Sequence, residues 1–301
     1  MSTNTKNTLL DRYKKLLHKI EYKEVPTVIR VNTLATTHEK VIERLKKELV
    51  ELTKIPFLRN GYTTTSKRSM ASMTPYMLGY YYIQETASQI PVEILNPQPG
   101  EKIIDMCAAP GGKTTQISQM MKNEGAVHAY ESKKHRIDSL MNNIERMRVT
   151  NAIIFNKDVL EAKGEYDKVL LDAPCSGNLA SDKEWLSKRT IEGIKENAKI
   201  QEKLLHKAIN LCKEGGIVVY STCSLEPEEN EEVITNVLKL RKDTTLEDTD
   251  CSIGSSGLKI FDSKKYCENI ELTKRFWPDE CPTQGFFIAK IRKTKSKRKE
   301  K

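Results

Sequence analysis

The chain has 301 residues, 38% of them hydrophobic and 30% charged, with a formal net charge of +9. A chain of this length can hold one main domain and a smaller one. No apolar run approaches the roughly twenty residues of a membrane helix, and the opening residues, MSTNTKNTLLDRYKKLL, lack the apolar centre of a signal peptide. These features argue against a membrane protein and predict a soluble, cytoplasmic one.

The cysteine content argues against stabilisation by disulfide bonds or by a structural zinc ion. Seven cysteines are present, an odd number, and no two of them form a Cys-x-x-Cys pair. A disulfide framework and a structural zinc site are therefore both disfavoured, and a reducing compartment fits best. We expect no bound metal.

Residues 1–95 are predicted to form a small amino-terminal domain. Apolar spacing and turn residues define its elements. In chain order these are a helix over 9–20, a strand over 26–34, a helix over 37–50 capped by Thr37, extended stretches within 51–80 and a helix over 80–95. A unit of this size buries little core by itself and is expected to dock on a neighbour.

From residue 101 onward, predicted strands alternate with predicted helices. The strands are apolar runs at 102–106, 126–131, 152–158, 168–173 and 216–223. In the helix that starts at Thr190, apolar residues share one face: Ile191, Ile194, Ala198, Leu204, Leu205, Ala208 and Leu211. Buried strands between amphipathic helices predict a doubly wound α/β fold with a mostly parallel sheet.

The end of the chain departs from this alternation. Two apolar segments, LKIFD at 258–262 and GFFIAKIRK at 285–293, are predicted to form an antiparallel hairpin that closes the sheet. The stretch 290–301 carries eight basic residues and one acidic residue, which leaves a net charge of +2 for the rest of the chain. We predict a solvated, disordered tail over 294–301, whose charge suits a polyanionic partner without by itself indicating one.

A glycine-bearing loop, CAAPGGKTT at 107–115, follows the first strand of the main domain. It is not a phosphate-binding P-loop, because Cys107 stands where that motif requires glycine, and no G-x-G-x-x-G pattern is present. Backbone amides where such a loop enters a helix can hold a carboxylate or another anion. A tight turn selected only for packing is the alternative.

Acidic residues stand at the ends of successive predicted strands: Asp105, Glu131, Asp158 and Asp172. One such acid is more often a helix cap than a ligand, but four in succession favour a binding role. Glu131, 26 residues after Asp105, is placed to accept hydrogen bonds from ribose hydroxyls, and Asp158 to meet an adenine edge. This arrangement suits S-adenosylmethionine, because its amino-acid, ribose and adenine parts each need separate contacts.

Two cysteines, Cys175 and Cys223, each follow an apolar strand and have small polar neighbours. Because the carboxyl ends of parallel strands meet at one edge of a sheet, both thiols are expected to face one crevice with the loop at 107–115. A thiolate is an effective nucleophile, and nearby positive charge, for which Lys113 is a candidate, lowers its pKa. Cys212, at a helix end, is expected to be only a small buried residue.

Several separate segments carry a family resemblance. They are YYIQETASQIPVEILNPQPGEKIIDM, DMCAAPGGKTT, LLDAPCSGN, YSTCSLEPEENEEV and FWPDECPTQGFFIAK. Together they resemble the Nop/Sun family of RNA (cytosine-5)-methyltransferases, in its archaeal tRNA type without a PUA domain. The resemblance implies a seven-stranded, mostly parallel, Rossmann-like class I methyltransferase domain over 96–293, preceded by a small α+β RNA-recognition-like domain over 1–95.

The resemblance also implies a mechanism. Cys223 would attack carbon 6 of a cytosine, and carbon 5 would then take the methyl group of S-adenosylmethionine. Asp172 would hydrogen-bond or protonate N3 of the base, and Cys175 would assist proton removal and release of the product. A covalent adduct divides one difficult step into two easier ones, and the base must be unpaired or flipped out to be reached.

The resemblance assigns two sets of site residues and no metal ligands. Its catalytic residues are Cys223, Cys175 and Asp172, to which we add Lys113 as the candidate positive charge near the thiols. The cofactor-binding set is Cys107, Ala108, Ala109, Pro110, Gly111, Gly112, Lys113, Glu131, Arg136, Asp158 and Asp172.

The residues alone leave the identity of the nucleophile open. DNA cytosine methyltransferases use the cysteine of the Pro-Cys pair, which here is Cys175. This chain also has the Thr-Cys pair that ends in Cys223, and it lacks the G-x-G-x-x-G loop, so it looks like the RNA group. We therefore assign the nucleophile to Cys223.

The expected partner is RNA, with tRNA as the first candidate and ribosomal RNA as the alternative. Two rival functions are a catalytically silent RNA-binding or ribosome-assembly factor and a small-molecule methyltransferase. Basic residues of the amino-terminal domain could dock RNA or be ordinary solvated surface: Arg30, Arg44, Lys46, Lys47, Arg59, Lys67 and Arg68. We expect a monomer that binds no membrane.

Overall fold

The computed structural model describes residues 3–22, 24–66 and 68–295, so Lys67 and most of the predicted basic tail lie outside the described residues. Its strands are β1 Val28–Val31, β2 Leu52–Lys54, β3 Gly61–Thr64, β4 Tyr81–Ile83, β5 Lys102–Asp105, β6 Ala126–Tyr130, β7 Ala152–Phe155, β8 Tyr166–Asp172, β9 Cys212–Thr222, β10 Thr244–Glu247, β11 Ser255–Ser256, β12 Ile260–Phe261, β13 Lys264–Lys265, β14 Lys274–Phe276 and β15 Phe286–Lys293. Its α-helices are α1 Thr3–Lys15, α2 His38–Lys47, α3 Thr74–Met77, α4 Thr86–Leu95, α5 Gly112–Met120, α6 Lys134–Arg146, α7 Trp185–Lys188, α8 Ile191–Leu211 and α9 Glu231–Leu240.

The chain divides into two compact units by its internal contacts. The middle unit comprises residues 25–170, and the terminal unit comprises residues 1–24 and 171–301. Strand β8 contributes its first five residues to the middle unit and its last two to the terminal unit. The predicted domain boundary after residue 95 stays a prediction.

The middle unit begins with an antiparallel sheet of strand order β2-β3-β1-β4. Helix α2 starts as predicted, because the side chain of Thr37 accepts a hydrogen bond from the amide of Lys40. Its buried residues Val41 and Leu45 pack in one core cluster with strand β1. The predicted helix over 80–95 is wrong in its first turn, where Tyr81–Ile83 pairs with β1 as an edge strand. The helix begins only at Thr86.

The same unit continues with parallel strands in the order β8-β5-β6-β7. Ile103, Ile104, Val127 and Val169 are fully buried, as expected for strands covered on both faces. The predicted strand over 152–158 is too long. It ends at Phe155, because the polar residues that follow turn the chain into a short 3₁₀ helix.

The terminal unit contains antiparallel strands in the order β11-β14-β15-β9, with β10 also paired to β15. Helix α8 buries Ile194, Ala198 and Leu205, as its apolar spacing predicts. Cys212 is fully buried, again as predicted.

The predicted hairpin between 258–262 and 285–293 is wrong. Strand β12 pairs instead with β13 through a two-residue turn at Asp262 and Ser263, whose φ angles are 47° and 65°. Positive φ at both central residues is typical of the tightest hairpin turns, which close a strand on its immediate neighbour. Strand β15 pairs with β9, β14 and β10.

None of the described helices combines the length and the apolar character that crossing a bilayer requires. Among the same residues, no group of three or more His, Cys, Asp or Glu side chains is arranged to hold a metal ion.

Candidate active site

The glycine-bearing loop of the middle unit is held at both ends by one carboxylate. Asp105 ends strand β5 and is buried. One of its oxygens accepts from the hydroxyl of Thr114 at 2.7 Å, and the other accepts from the amide of Cys107 at 3.4 Å. Gly111 has a φ of 105°, which favours glycine, and a Cβ there would lie 3.1 Å from Cδ1 of Leu140. The loop conformation therefore depends on both Asp105 and Gly111.

Glu131 and Arg136 are brought to this loop by the next strand and helix. Glu131 directly follows β6 and is buried. Its Oε1 accepts from the amide of Lys133 at 2.8 Å, and its Oε2 lies 3.0 Å from Nη1 of Arg136. Arg136 also donates to the carbonyl oxygen of Ala109. The guanidinium thus connects the predicted ribose acceptor to the loop.

Two other predicted residues of this unit have less distinctive surroundings. Asp158 is exposed, and its carboxylate accepts from the amide of Leu160 at 2.9 Å, which makes it the cap of a 3₁₀ helix. Lys113 lies half-buried in the first turn of α5. Their roles in cofactor binding and catalysis stay predictions.

Arg30 is not the surface residue that the sequence suggested. Its side chain is 0% exposed. It donates to Gln84 at 3.0 Å, Gln119 at 2.5 Å, the carbonyl of Gly112 at 3.1 Å and the hydroxyl of Thr115 at 2.8 Å. Burial lowers the pKa of the guanidinium to about 9, which leaves it charged at neutral pH. The remaining described basic residues of the set are exposed: Arg44, Lys46, Lys47, Arg59 and Arg68.

In the terminal unit, the two predicted thiols are in direct contact. The Sγ atoms of Cys175 and Cys223 are 3.1 Å apart. This is a hydrogen-bonding distance for thiols and is longer than the roughly 2.05 Å of a disulfide bond. No disulfide joins the two cysteines; Cys223 is exposed and Cys175 is half-buried. Of the two, Cys223 is the thiol more open to an incoming base.

Asp172 lies on the strand pair that carries these thiols. It ends β8, and its Oδ1 accepts from the hydroxyl of Ser221 at 2.8 Å. The amide of Ala173 donates to the carbonyl of Ser221 at 2.8 Å. Ser221 precedes Cys223 by two residues, so the ends of β8 and β9 bring the carboxylate and the thiols into one region of this unit.

The two thiols differ in their electrostatic surroundings. The hydrogen bond with Cys223, burial and the negative charges of Cys223 and Glu229 raise the pKa of the Cys175 thiol well above its usual range. At neutral pH Cys175 therefore keeps its proton. It is the member of the pair that can donate a hydrogen bond to a thiolate on its neighbour.

Sequence reasoning missed the polar groups that fix the Cys175 loop. Asn178 donates to the carbonyl of Cys223 at 2.7 Å, and Gln201 donates to the carbonyl of Pro174 at 2.8 Å. The indole of Trp185 donates to the carbonyl of Ser176 at 2.9 Å. Asn178 belongs to the LLDAPCSGN segment, so a signal was present, but its partner is 45 residues away.

Two protein-family models match the chain. The model of the 16S rRNA methyltransferase RsmB/F matches residues 92–292, and that of the N-terminal domain of 16S rRNA methyltransferase RsmF matches residues 2–86. The chain belongs to the RsmB/F methyltransferase family. The resemblance that its motifs carry is thereby confirmed.

Individual RsmB/F-type relatives act on different RNAs according to their names. The tRNA (cytosine(49)-C(5))-methyltransferase of Pyrococcus abyssi is 36% identical over 298 residues, which are 95% of this chain and 95% of that protein. The 25S rRNA (cytosine-C(5))-methyltransferase nop2 of Schizosaccharomyces pombe is 36% identical over 284 residues, 90% of this chain but 47% of nop2. The chain thus spans less than half the length of that eukaryotic relative.

A solved structure confirms the predicted fold for this RsmB/F family member. The structure of NSun6 from Pyrococcus horikoshii with SFG has a TM-score of 0.82 and 26% identity, covering 98% of this chain and 99% of that one. The chain has the class I methyltransferase fold with a mixed α/β sheet and an additional amino-terminal domain.

Proposed function

We propose that this chain is an S-adenosylmethionine-dependent RNA (cytosine-5)-methyltransferase and that its substrate is tRNA. The observation that carries the proposal is the contact between the Cys175 and Cys223 thiols, with Asp172 at the end of the adjacent strand. Covalent addition to a pyrimidine and its reversal need a nucleophilic thiol and proton transfer nearby. The relative of nearly equal length is named as a tRNA enzyme, which favours tRNA over ribosomal RNA.

The middle unit offers a donor set that fits S-adenosylmethionine. Glu131 is a buried carboxylate beyond a parallel strand, where ribose hydroxyls are bound in folds of this kind. The loop from Cys107 to Lys113 leads into helix α5, whose first amides suit a carboxylate. Arg136 connects Glu131 to the loop through an ion pair and a hydrogen bond. The cofactor supplies an electrophilic methyl group, and the SFG of the NSun6 structure, an analogue of it, supports this assignment.

The chemistry assigned to the terminal unit is addition, methyl transfer and elimination. The Cys223 thiolate forms a bond to carbon 6 of the cytosine, while Asp172 hydrogen-bonds or protonates N3, so that the electron pair moves to carbon 5. Carbon 5 would then form a bond to the methyl group of a bound S-adenosylmethionine, as the bond between that methyl group and the sulfonium sulfur breaks and S-adenosylhomocysteine leaves. The proton on carbon 5 would pass to a solvent base, its electron pair would restore the double bond, and Cys223 would leave as a thiolate. Cys175 assists this release.

RNA contacts are assigned to the exposed basic residues of the amino-terminal region, such as Arg44, Lys46 and Arg68. The target cytosine must leave its stack to meet Cys223. The monomeric state and the cytoplasmic location remain predictions.

The proposed function is tested by incubating the protein with S-adenosylmethionine and either tRNA or ribosomal RNA transcripts, followed by bisulfite sequencing. We expect one protected cytosine in tRNA. Protection only in ribosomal RNA would replace the substrate assignment. Binding of RNA with no protected cytosine would favour the catalytically silent factor instead.

The cofactor assignment predicts that Glu131→Gln weakens S-adenosylmethionine binding roughly tenfold or more, because a hydrogen bond to a charged group contributes about 1.5–3 kcal/mol. Isothermal titration calorimetry measures the affinity. Glu124→Gln, at an exposed site before the same strand, is the matched control. Unchanged affinity in Glu131→Gln would contradict the assignment.

A further inference from the structure

Glu229 is a buried carboxylate that the proposed chemistry has not used. It follows Cys223 by six residues and is 0% exposed. An acid without solvent contact needs donors around it, since burying an unpaired charge is very costly. The hydrogen-bond donors around Glu229 belong to the segments that surround the two thiols.

The first group of donors belongs to the Cys175 loop. The amide of Ser176 donates to Oε1 of Glu229 at 2.9 Å, and the Ser176 hydroxyl donates to Oε2 at 2.5 Å. Gln201 of helix α8, which also donates to the carbonyl of Pro174, donates to Oε1 at 3.1 Å. Ser176, the residue directly after Cys175, is therefore bound to Glu229 by two hydrogen bonds.

The second group belongs to the Cys223 loop. The hydroxyl of Ser224 lies 3.3 Å from that of Ser176 and is also hydrogen-bonded to Glu229. The phenol of Tyr220, on strand β9, donates to the carbonyl of Glu229 at 2.5 Å. One carboxylate thus joins the residue after Cys175 to the residue after Cys223.

We propose that Glu229 is the positioning residue of the thiol pair: it fixes the two cysteine loops against each other, and its charge adds to the hydrogen bond from Cys223 and the burial that keep the proton on Cys175. The assignment of a methyl-transfer role to the pair rests on the proposed function, but the position and the charge of Glu229 do not. The hydrogen bonds of the Glu229 carboxylate come from the residues beside the cysteines and from Gln201, so Glu229 acts through the two cysteine loops.

The charges that face the pair support the second half of this proposal. Burial raises the pKa of Glu229, while the hydrogen bonds from Ser176, Ser224 and Gln201 act against that rise. Four donor groups, two of them from Ser176, form a pattern that a carboxylate anion accepts. Its negative charge disfavours a second anion on Cys175.

Other ionisable groups also lie near the pair. Asp172 accepts from the hydroxyl of Ser221, two residues before Cys223. Tyr220 is buried, and burial raises its pKa well above the usual range, so it stays neutral. The cation of Arg189 donates to the carbonyl of Ser176 at 2.8 Å. The positive charge of Arg189 would favour a thiolate on Cys175, and the negative charge of Glu229 acts against that effect.

A neighbouring glutamate provides a matched control. Glu231 is also 0% exposed. Its Oε1 accepts from Nε of Arg275 at 2.6 Å and from the amide of Leu258 at 3.0 Å. Glu231→Gln therefore removes a buried charge from the same segment, while the donors from Ser176, Ser224 and Gln201 to Glu229 stay in place.

The experiment follows iodoacetamide modification of each cysteine in the wild type, Glu229→Gln and Glu231→Gln over a range of pH. Tryptic peptides report Cys175 and Cys223 separately. We expect Glu229→Gln to lower the midpoint pH of Cys175 modification by about one unit. At a fixed pH below the midpoint, iodoacetamide would then modify Cys175 about tenfold faster. Glu231→Gln should lower the melting temperature without moving that midpoint. Methylation by Glu229→Gln should show a kcat reduced about tenfold at an unchanged KM for RNA.

An unmoved Cys175 midpoint in Glu229→Gln, or an equal shift in Glu231→Gln, would overturn the proposal. If Glu229→Gln does not fold, Glu229→Asp takes its place. It retains the charge, so its Cys175 midpoint should stay near the wild-type value while kcat falls, and a lowered midpoint would again reject the idea. If the wild type methylates no RNA but Glu229→Gln still shifts the Cys175 midpoint, the proposed function is rejected and the role of Glu229 stands.

Discussion

Cys223→Ser is expected to abolish both methyl transfer and covalent capture of RNA. A serine hydroxyl keeps the size of the thiol but is not ionised near neutral pH, so the bond to carbon 6 does not form. Loss of a nucleophile reduces turnover by roughly a thousandfold or more. Methylation of tRNA with a labelled cofactor measures the loss, and thermal denaturation checks that the exposed Cys223 contributes little to stability.

Cys175→Ser is expected to have the opposite effect on the adduct. Addition by Cys223 remains possible, but the group that assists release is gone, so the protein stays bonded to RNA. Denaturing gels should show a retarded protein–RNA band for Cys175→Ser and none for Cys223→Ser. Cys267→Ser, at a half-buried site whose amide bonds to Thr235, serves as the control and should behave as the wild type. The reverse pattern of bands would make Cys175 the nucleophile.

The central strands could be predicted because they are continuous apolar runs. Strands β5, β6 and β8 lie within one or two residues of their predicted bounds, and their buried side chains leave little choice of register. The same runs indicated where polar residues would leave the sheet. Glu131 and Asp172 were predicted as site residues in that way.

The errors fall where local composition does not determine the partner. The segment 258–262 has the composition of a strand, yet a turn of two residues lets it pair with its own continuation. Asp158 follows an apolar run like the other three acids, but Asn156 and Lys157 end the strand before it, so the predicted strand over 152–158 was too long.

Glu229 and Asn178 were not predicted because their partners are distant in sequence. Ser176 precedes Glu229 by 53 residues, and Asn178 is 45 residues from the carbonyl it binds. A run of acids such as PEENEE has the composition of a solvated surface. Only the folded chain distinguishes the buried Glu229 and Glu231 from the partly buried Glu228 and Glu232.

Arg30 is the most consequential of these misassigned charges, and Arg30→Met is expected to lower the free energy of unfolding by about 2–4 kcal/mol. Two effects oppose each other. Removing the guanidinium recovers the cost of burying a charge, which the lowered pKa of Arg30 reflects. The substitution also removes four hydrogen bonds and leaves the side-chain oxygens of Gln84 and Gln119 without their guanidinium donor, whereas the carbonyl of Gly112 still accepts from the hydroxyl of Thr115 at 3.1 Å.

Each unsatisfied acceptor costs about 1–3 kcal/mol, so the loss of donors outweighs the recovered desolvation. Urea unfolding measures the difference, with Arg44→Met as the exposed control, for which we expect a change within about 0.5 kcal/mol. Because one of the acceptors is the carbonyl of Gly112, at the start of α5, Arg30→Met should also weaken S-adenosylmethionine binding under conditions in which the protein remains folded. Equal stabilities of Arg30→Met and Arg44→Met would show that relief of desolvation cancels the lost hydrogen bonds, and Arg30 would then be a tolerated charge rather than a structural one.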